Sequence, residues 1–197
     1  MVLRFRNVRF FLGGLILFLP FQFASAQTTE PAQAPDPFCQ NTWTLDLNTD
    51  YISGIPARYH IQLVGESVGF SYYFLDRLAF SADIPIYYID QRAAPDAFAS
   101  GLEAFFRWHF AEFDKWSLYA DLGAGVLIGD NRFPPGGTNC NFDPQTGLGA
   151  TYQLTQNLFL NAGARLFHIS NAGLDNSDRN PALEYSVEGY AGVLFKF

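Results

Sequence analysis

The chain is expected to fold as an all-β protein, an eight-stranded antiparallel transmembrane β-barrel. Three observations predict this. Apolar residues alternate with polar or small ones along runs of about ten residues, the period of a strand with one apolar face. Short and long connections follow one another in turn. The last residue, Phe197, closes an alternating run that carries Val187, Ala191, Val193 and Phe195 on one face.

Residues 1–26 read as a secretory signal. Arg4, Arg6 and Arg9 form a positive start, Phe10 to Phe23 an apolar centre, and Ala24-Ser25-Ala26 a small-residue cleavage site. Residues 27–40 are rich in Pro, Ala and Gln, have no periodicity, and are expected to be a flexible periplasmic leader. The barrel then occupies 41–197. Beyond the signal no apolar run approaches the ~20 residues of a membrane helix.

Eight strand-like runs follow Asn41. The first alternates Trp43, Leu45 and Leu47 with Thr44, Asp46 and Asn48. The second, near 61–74, sets Val68, Phe70 and Tyr72 against Ser67, Gly69 and Ser71. The third, near 78–89, carries Phe80, Ile84 and Ile86 on one face; Pro85 inside it cannot donate to a ladder. The fourth, near 101–111, opposes Leu102, Phe106 and Trp108 to Glu103, Arg107 and His109. The fifth, near 116–128, opposes Leu118, Leu122 and Val126 to Ser117, Asp121 and Gly125. The sixth, near 146–154, opposes Leu148 and Tyr152 to Gly147 and Thr151. The seventh, near 158–169, opposes Leu158, Leu160, Ala162, Ala164 and Leu166 to Asn161 and Arg165, and the eighth ends the chain.

Residues 75–77, 112–115 and 155–157 make tight turns, whereas 53–60, 90–100, 129–145 and 170–183 are long. Short turns at one end and long loops at the other are the pattern of outer-membrane barrels, with both termini on the periplasmic side. A soluble lipid-binding barrel would show the same alternation with its faces reversed. Aromatic residues near strand ends, the scarcity of lysine and the terminal Phe197 favour the membrane. Lys and Arg number 12 against 19 Asp and Glu, for a net charge of −7, which argues against nucleic acid as a partner. Cys39 and Cys140 fall at opposite ends of this topology, so no bridge between them is expected.

The chemistry lies in Phe167-His168-Ile169-Ser170-Asn171-Ala172-Gly173. Residues i and i+2 of a strand share a face, so His168 can lie beside the Ser170 hydroxyl and take its proton. Both have the parity of Leu158 to Leu166, the lipid-facing side. A polar pair there is costly, so the parity points to a substrate that sits in the membrane. The bland readings are kept for other groups. His60 is read as a loop residue and His109 as part of a lumen network. Arg107, Asp121, Arg165 and Glu188 are read as lumen ion pairs. Residues 139–143 have too few oxygen ligands for calcium.

His168-Ile169-Ser170-Asn171-Ala172-Gly173, followed by Asn180-Pro181 and Glu184, resembles the signature of the lipid A 3-O-deacylases of the PagL type. The resemblance implies a serine esterase that removes the acyl chain ester-linked at position 3 of lipid A, with no metal and no cofactor. It implies Ser170 as nucleophile, His168 as base and Glu184 as the acid that orients the imidazole. Asn180 and the backbone amide of Gly173 become oxyanion stabilisers, and Asn171 a further substrate-positioning residue. The loop 174–179 is slightly longer than the pattern, which leaves Asp178 as the alternative acid. Glu184 has the parity of Ser186 and Glu188 in the lumen, so a bulge at the start of the last strand is needed to bring it to His168. The implied partner is lipid A or lipopolysaccharide, with a homodimer one state the barrel can take. The alternative function is a non-catalytic barrel serving as anchor or adhesin.

Overall fold

The computed structural model describes residues 36–54, 60–92, 94–173 and 183–197. The expected signal, residues 1–26, lies outside them. The strands are β1 (Trp43–Gly54), β2 (Ile61–Leu75), β3 (Leu78–Gln91), β4 (Ala97–Phe113), β5 (Trp116–Phe133), β6 (Thr138–Phe142), β7 (Gln145–Gln153), β8 (Leu158–Ile169) and β9 (Leu183–Lys196). Neighbours pair in the order β4-β3-β2-β1-β9-β8-β7-β5-β6, and β4–β5 pairing closes the sheet. β6 and β7 continue one another against β5: Val126 faces Phe142 and Leu122 faces Thr146 in a single unbroken register. They form one stave interrupted at Asp143-Pro144. The result is the expected closed eight-stranded antiparallel barrel.

The connection expected over 129–145 is mostly strand. β5 runs on to Phe133, Pro134 to Gly137 turn, and β6 returns from Thr138. The run Thr138-Asn139-Cys140-Asn141-Phe142 lacks an alternating apolar face, which hid it. Side chains support it instead: Asn141 Nδ2 donates to the carbonyls of Phe133 at 2.8 Å and Thr138 at 3.1 Å. Pro85 is accommodated in β3, where its carbonyl accepts from Ser100 Oγ at 2.8 Å.

The alternation resolves into two faces. Ile84, Ile86, Leu102, Leu122, Leu148 and Leu166 are among the large apolar side chains exposed on the outer wall. So continuous an apolar band suits a bilayer and not water. Inside, Arg107 grips Asp121 with Nε at 2.9 Å and Nη2 at 3.0 Å. Arg165 reaches the same carboxylate at 3.0 Å and Glu188 at 3.4 Å. These are the lumen ion pairs read from the alternation. His109 joins them, with Nδ1 2.7 Å from Ser117 Oγ and Nε2 3.0 Å from the Tyr73 hydroxyl.

Both ends of the interior are apolar, which the alternation did not announce. Ile52, Leu63, Ile89, Leu127, Phe133, Phe167 and Ile169 cluster at the extracellular end. Phe38, Tyr73, Phe159 and Leu194 cluster at the periplasmic end. Side chains thus occupy the lumen through its length, as in small barrels.

Phe38 belongs to the stretch expected to be a flexible leader. It is instead fully buried, its ring 3.8 Å from that of His109 and 5.4 Å from that of Tyr73. Arg77 secures the segment, donating its backbone N–H to Phe38 O at 2.7 Å and its side chain to Asp36 at 2.8 Å. Burial alone would raise the Asp36 carboxyl, but the Arg77 guanidinium and the Phe38 N–H outweigh it and hold the group below its ordinary range. The leader reading rested on Pro/Ala/Gln composition and missed this one aromatic side chain; its residues 27–35 lie outside the described residues. Phe38→Ala is expected to lower stability by about 3 kcal/mol, the usual scale for a buried phenyl ring. Urea unfolding in micelles measures this; an unchanged midpoint would mean that the segment does not plug the barrel.

The start of β1 meets the last residue beside this plug. Trp43 N–H donates to Phe197 O at 3.3 Å and Phe197 N–H to Trp43 O at 3.0 Å. Cys39 and Cys140 are both free, one near this end and the other on the extracellular hairpin, as the topology implied.

Candidate active site

β8 carries the site at its extracellular tip. Inward Arg165, Phe167 and Ile169 alternate with outward Ala164, Leu166 and His168. His168 is half-buried on the outer wall, and Ser170, next on that parity, is 9% exposed. His168 and Ser170 thus keep the shared parity read from their spacing.

The tip is held in strand geometry by the segment between β6 and β7. His168 N–H donates to Pro144 O at 3.2 Å. Ser170 N–H donates to Phe142 O at 3.0 Å, and Phe142 N–H returns a bond to Ser170 O at 2.7 Å. Pro144 loses nothing by this arrangement, since it contributes only its carbonyl. Because 129–145 reads as a loop in the sequence, this brace was not foreseen.

On the other side of β8 the ladder to β9 slips. Phe167 pairs with Ser186, but Ile169 pairs with Leu183. Two residues of β9, Glu184 and Tyr185, thus stand opposite His168 alone. This is a bulge, and it breaks the strict alternation that would otherwise commit Glu184 to the lumen. The side chain of Glu184 lies outside what is described, as do Asn180 and Asp178.

After Ser170 the backbone turns sharply. Ala172 has φ 52° and Gly173 φ 74°. The Gly173 N–H donates to Asn171 Oδ1 at 2.8 Å, an Asx turn that fixes the corner. A Cβ at Gly173 would meet nothing within 4 Å, so glycine serves the positive φ and not a close contact. The amide that the resemblance assigns to an oxyanion is thus engaged by the Asn171 side-chain oxygen.

An apolar groove leads away from His168 along the outer wall. Its upper part, about 310 Å³, is lined by His168, Leu166, Thr146, Leu122 and Pro144. Its lower part, about 480 Å³, shares Leu166 and Thr146 and continues past Ala164, Leu148, Ala120 and Val187. Small outward residues on β5 and β8 between large ones make the depression. Ala162 and Ala164 were visible among the leucines of β8, but only strand pairing sets them beside Ala120 and Thr146.

The sequence pattern of the family described as "Lipid A 3-O-deacylase (PagL)" matches residues 54–190. A comparison with curated protein sequences finds no match. Among solved structures, the chain is similar to Neisserial surface protein A (TM-score 0.57, 20% identity, 79% of this chain and 96% of that one). It is also similar to the outer membrane protein OprG from Pseudomonas aeruginosa (TM-score 0.54, 10% identity, 81% and 97%). The outer membrane enzyme PagL is matched at TM-score 0.47 and 18% identity, over 77% of this chain and 98% of that one. The first two show the fold, that of an outer-membrane-type β-barrel.

Proposed function

Because the chain belongs to the lipid A 3-O-deacylase family, we propose that it is a serine esterase that removes the acyl chain at position 3 of lipid A. The observation that carries this reading is the His168–Ser170 pair on the lipid-facing wall, at the head of an apolar groove. Polar side chains at such a place are expensive unless a membrane-borne substrate uses them.

In this reading Ser170 attacks the ester carbonyl while His168 takes its proton. The carboxylate of Glu184 fixes the imidazole tautomer and stabilises the imidazolium. Negative charge on the tetrahedral carbonyl oxygen is met by Asn180 and by the Gly173 amide, which exchanges Asn171 Oδ1 for the oxyanion. The sugar oxygen leaves with the proton from His168. Water, activated by the same base, then frees the acyl group from Ser170.

The groove orients the chain and does not extract it. Lipid tails are as apolar as leucine, so an acyl chain gains little by leaving its neighbours for the wall. What it gains is register: the ester is held at the height of Ser170. Incubated with lipid A in micelles, the purified protein should release one fatty acid per lipid A molecule. Ala164→Phe fills the groove from the lipid side and should slow that release by about 10- to 100-fold, the effect of misplacing a reacting group by an ångström. The barrel itself should insert normally, because Ala164 faces lipid. An unchanged rate in this variant would remove the groove from the account.

A further inference from the structure

The strand register sets one aromatic side chain directly beside Ser170. Phe142 and Ser170 exchange both backbone bonds, so they are a hydrogen-bonded antiparallel pair. The register is that of β7 with β8, where Gln145 stands opposite Phe167; Pro144 accordingly falls opposite His168. Residues directly opposite one another share a face, with Cβ atoms ~4.5 to 5.5 Å apart. Phe142 therefore lies on the outer wall with Ser170. Its neighbour on the other side agrees: Val126 belongs to the outward set of β5, between exposed Ala124 and Ile128. His168, on the diagonal from Phe142, is also within reach of a phenyl ring.

Phe142 and the groove lie on different sides of the ester. The groove starts at His168 and Pro144 and descends past Leu166 and Thr146 to Ala164 and Leu148, toward the periplasm. Phe142 ends β6, one pleat above Pro144 on the extracellular side. An acyl chain in the groove thus leaves the alcohol half of its ester at the level of Phe142. In a reactive pose the carbonyl carbon stands ~3 to 3.5 Å from the serine oxygen. The sugar carbon that bears the ester is two bonds further on, within contact range of a ring rooted opposite Ser170.

The ring suits that neighbour. Ala124, Val126 and Pro144, the other outward residues that flank the pair on this side, are aliphatic. Phe142 is half-buried, whereas Leu122, Leu148 and Leu166 further down the wall are exposed to lipid. A pyranose ring has hydroxyl edges and a face of C–H groups. The negative face of a phenyl ring attracts such C–H groups, which leucine of similar bulk does not.

We propose that Phe142 is the sugar platform of the site: its ring receives the C–H face of the pyranose that carries the scissile ester, and so selects which ester of a multiply acylated sugar meets Ser170. The proposal rests on the reading of the protein as a glycolipid esterase.

The test uses full-length protein in neutral detergent micelles, carrying Ser170→Ala so that lipid A is bound and not consumed. Adding Phe142→Leu should weaken lipid A binding about five- to tenfold, the scale of one aromatic contact. Phe142→Tyr keeps a ring and should recover most of the loss. A phospholipid with the same acyl chains, added as competitor, should show no dependence on residue 142. Heat-dependent gel mobility checks that every variant is folded. Equal lipid A affinity with and without Phe142→Leu would overturn the proposal. So would an equal loss in Phe142→Tyr, or a matching loss for the phospholipid, since either would make Phe142 a packing residue or an acyl contact. Turnover is measured separately with Ser170 intact. Turnover without a Phe142→Leu effect on binding defeats the platform alone, whereas a binding effect without turnover on any lipid A upholds the platform and defeats the esterase reading.

Discussion

Ser170→Ala is expected to abolish deacylation, lowering the rate by about 10⁴-fold or more while the barrel still folds and inserts. The two halves of this expectation have different causes. In the proposed mechanism the Ser170 oxygen is the one protein atom that bonds to the acyl carbon, so no neighbouring side chain replaces it. Its loss touches stability little, because the tip of β8 is held by backbone bonds to Phe142 and Pro144 that alanine keeps. A buried hydroxyl contributes about 1 kcal/mol. His168→Ala should cost nearly as much, and the double variant hardly more than either alone, since nucleophile and base act as a unit. Rates that multiply in the double variant would mean that the two residues do not share a step. A Ser170→Ala protein that still releases fatty acid would place the chemistry elsewhere.

Glu184→Ala should give the next largest effect, about 10³- to 10⁴-fold, smaller than that of Ser170→Ala because the acid orients the base and does not attack. The β9 bulge is the structural reason for preferring Glu184: it sets residues 184 and 185 opposite His168. Strict alternation would have sent Glu184 into the lumen with Ser186 and Glu188. Asp178 is the competing acid. A silent Glu184→Ala beside a damaging Asp178→Ala, compared at equal amounts of folded protein, would transfer the role to Asp178.

Much of this molecule was legible because a membrane barrel obeys a simple rule. Period-2 alternation read on Phe70, Leu102, Leu122 or Leu166 gave the outer wall, and its complement gave Asp121, Arg107, Arg165 and Glu188 in the lumen. The same parity put His168 on the lipid side. What remained hidden has identifiable causes. β6 has no apolar face and is bonded through Asn141, so hydropathy could not find it, and with it was lost the brace under Ser170. Phe38 is one residue in a leader without periodicity, and only its fit against His109 and Tyr73 makes it a plug. A bulge at Glu184 was needed for the acid that the resemblance implies, but no residue type signals it; it appears only when the registers on either side of His168 are compared. The groove is a property of four paired strands, built from Ala120, Thr146, Ala164 and Val187, and no single strand contains it.

The most direct test of the account is the mass of lipid A from the outer membranes of cells that express the protein. The intact chain should yield lipid A lighter by one ester-linked acyl chain, lost from position 3, while cells expressing equal folded amounts of the Ser170→Ala form should yield lipid A of unchanged mass. Identical lipid A from both, with the barrel inserted and its substrate present, would contradict the esterase assignment and leave an outer-membrane barrel whose His168 and Ser170 serve no reaction on lipid A.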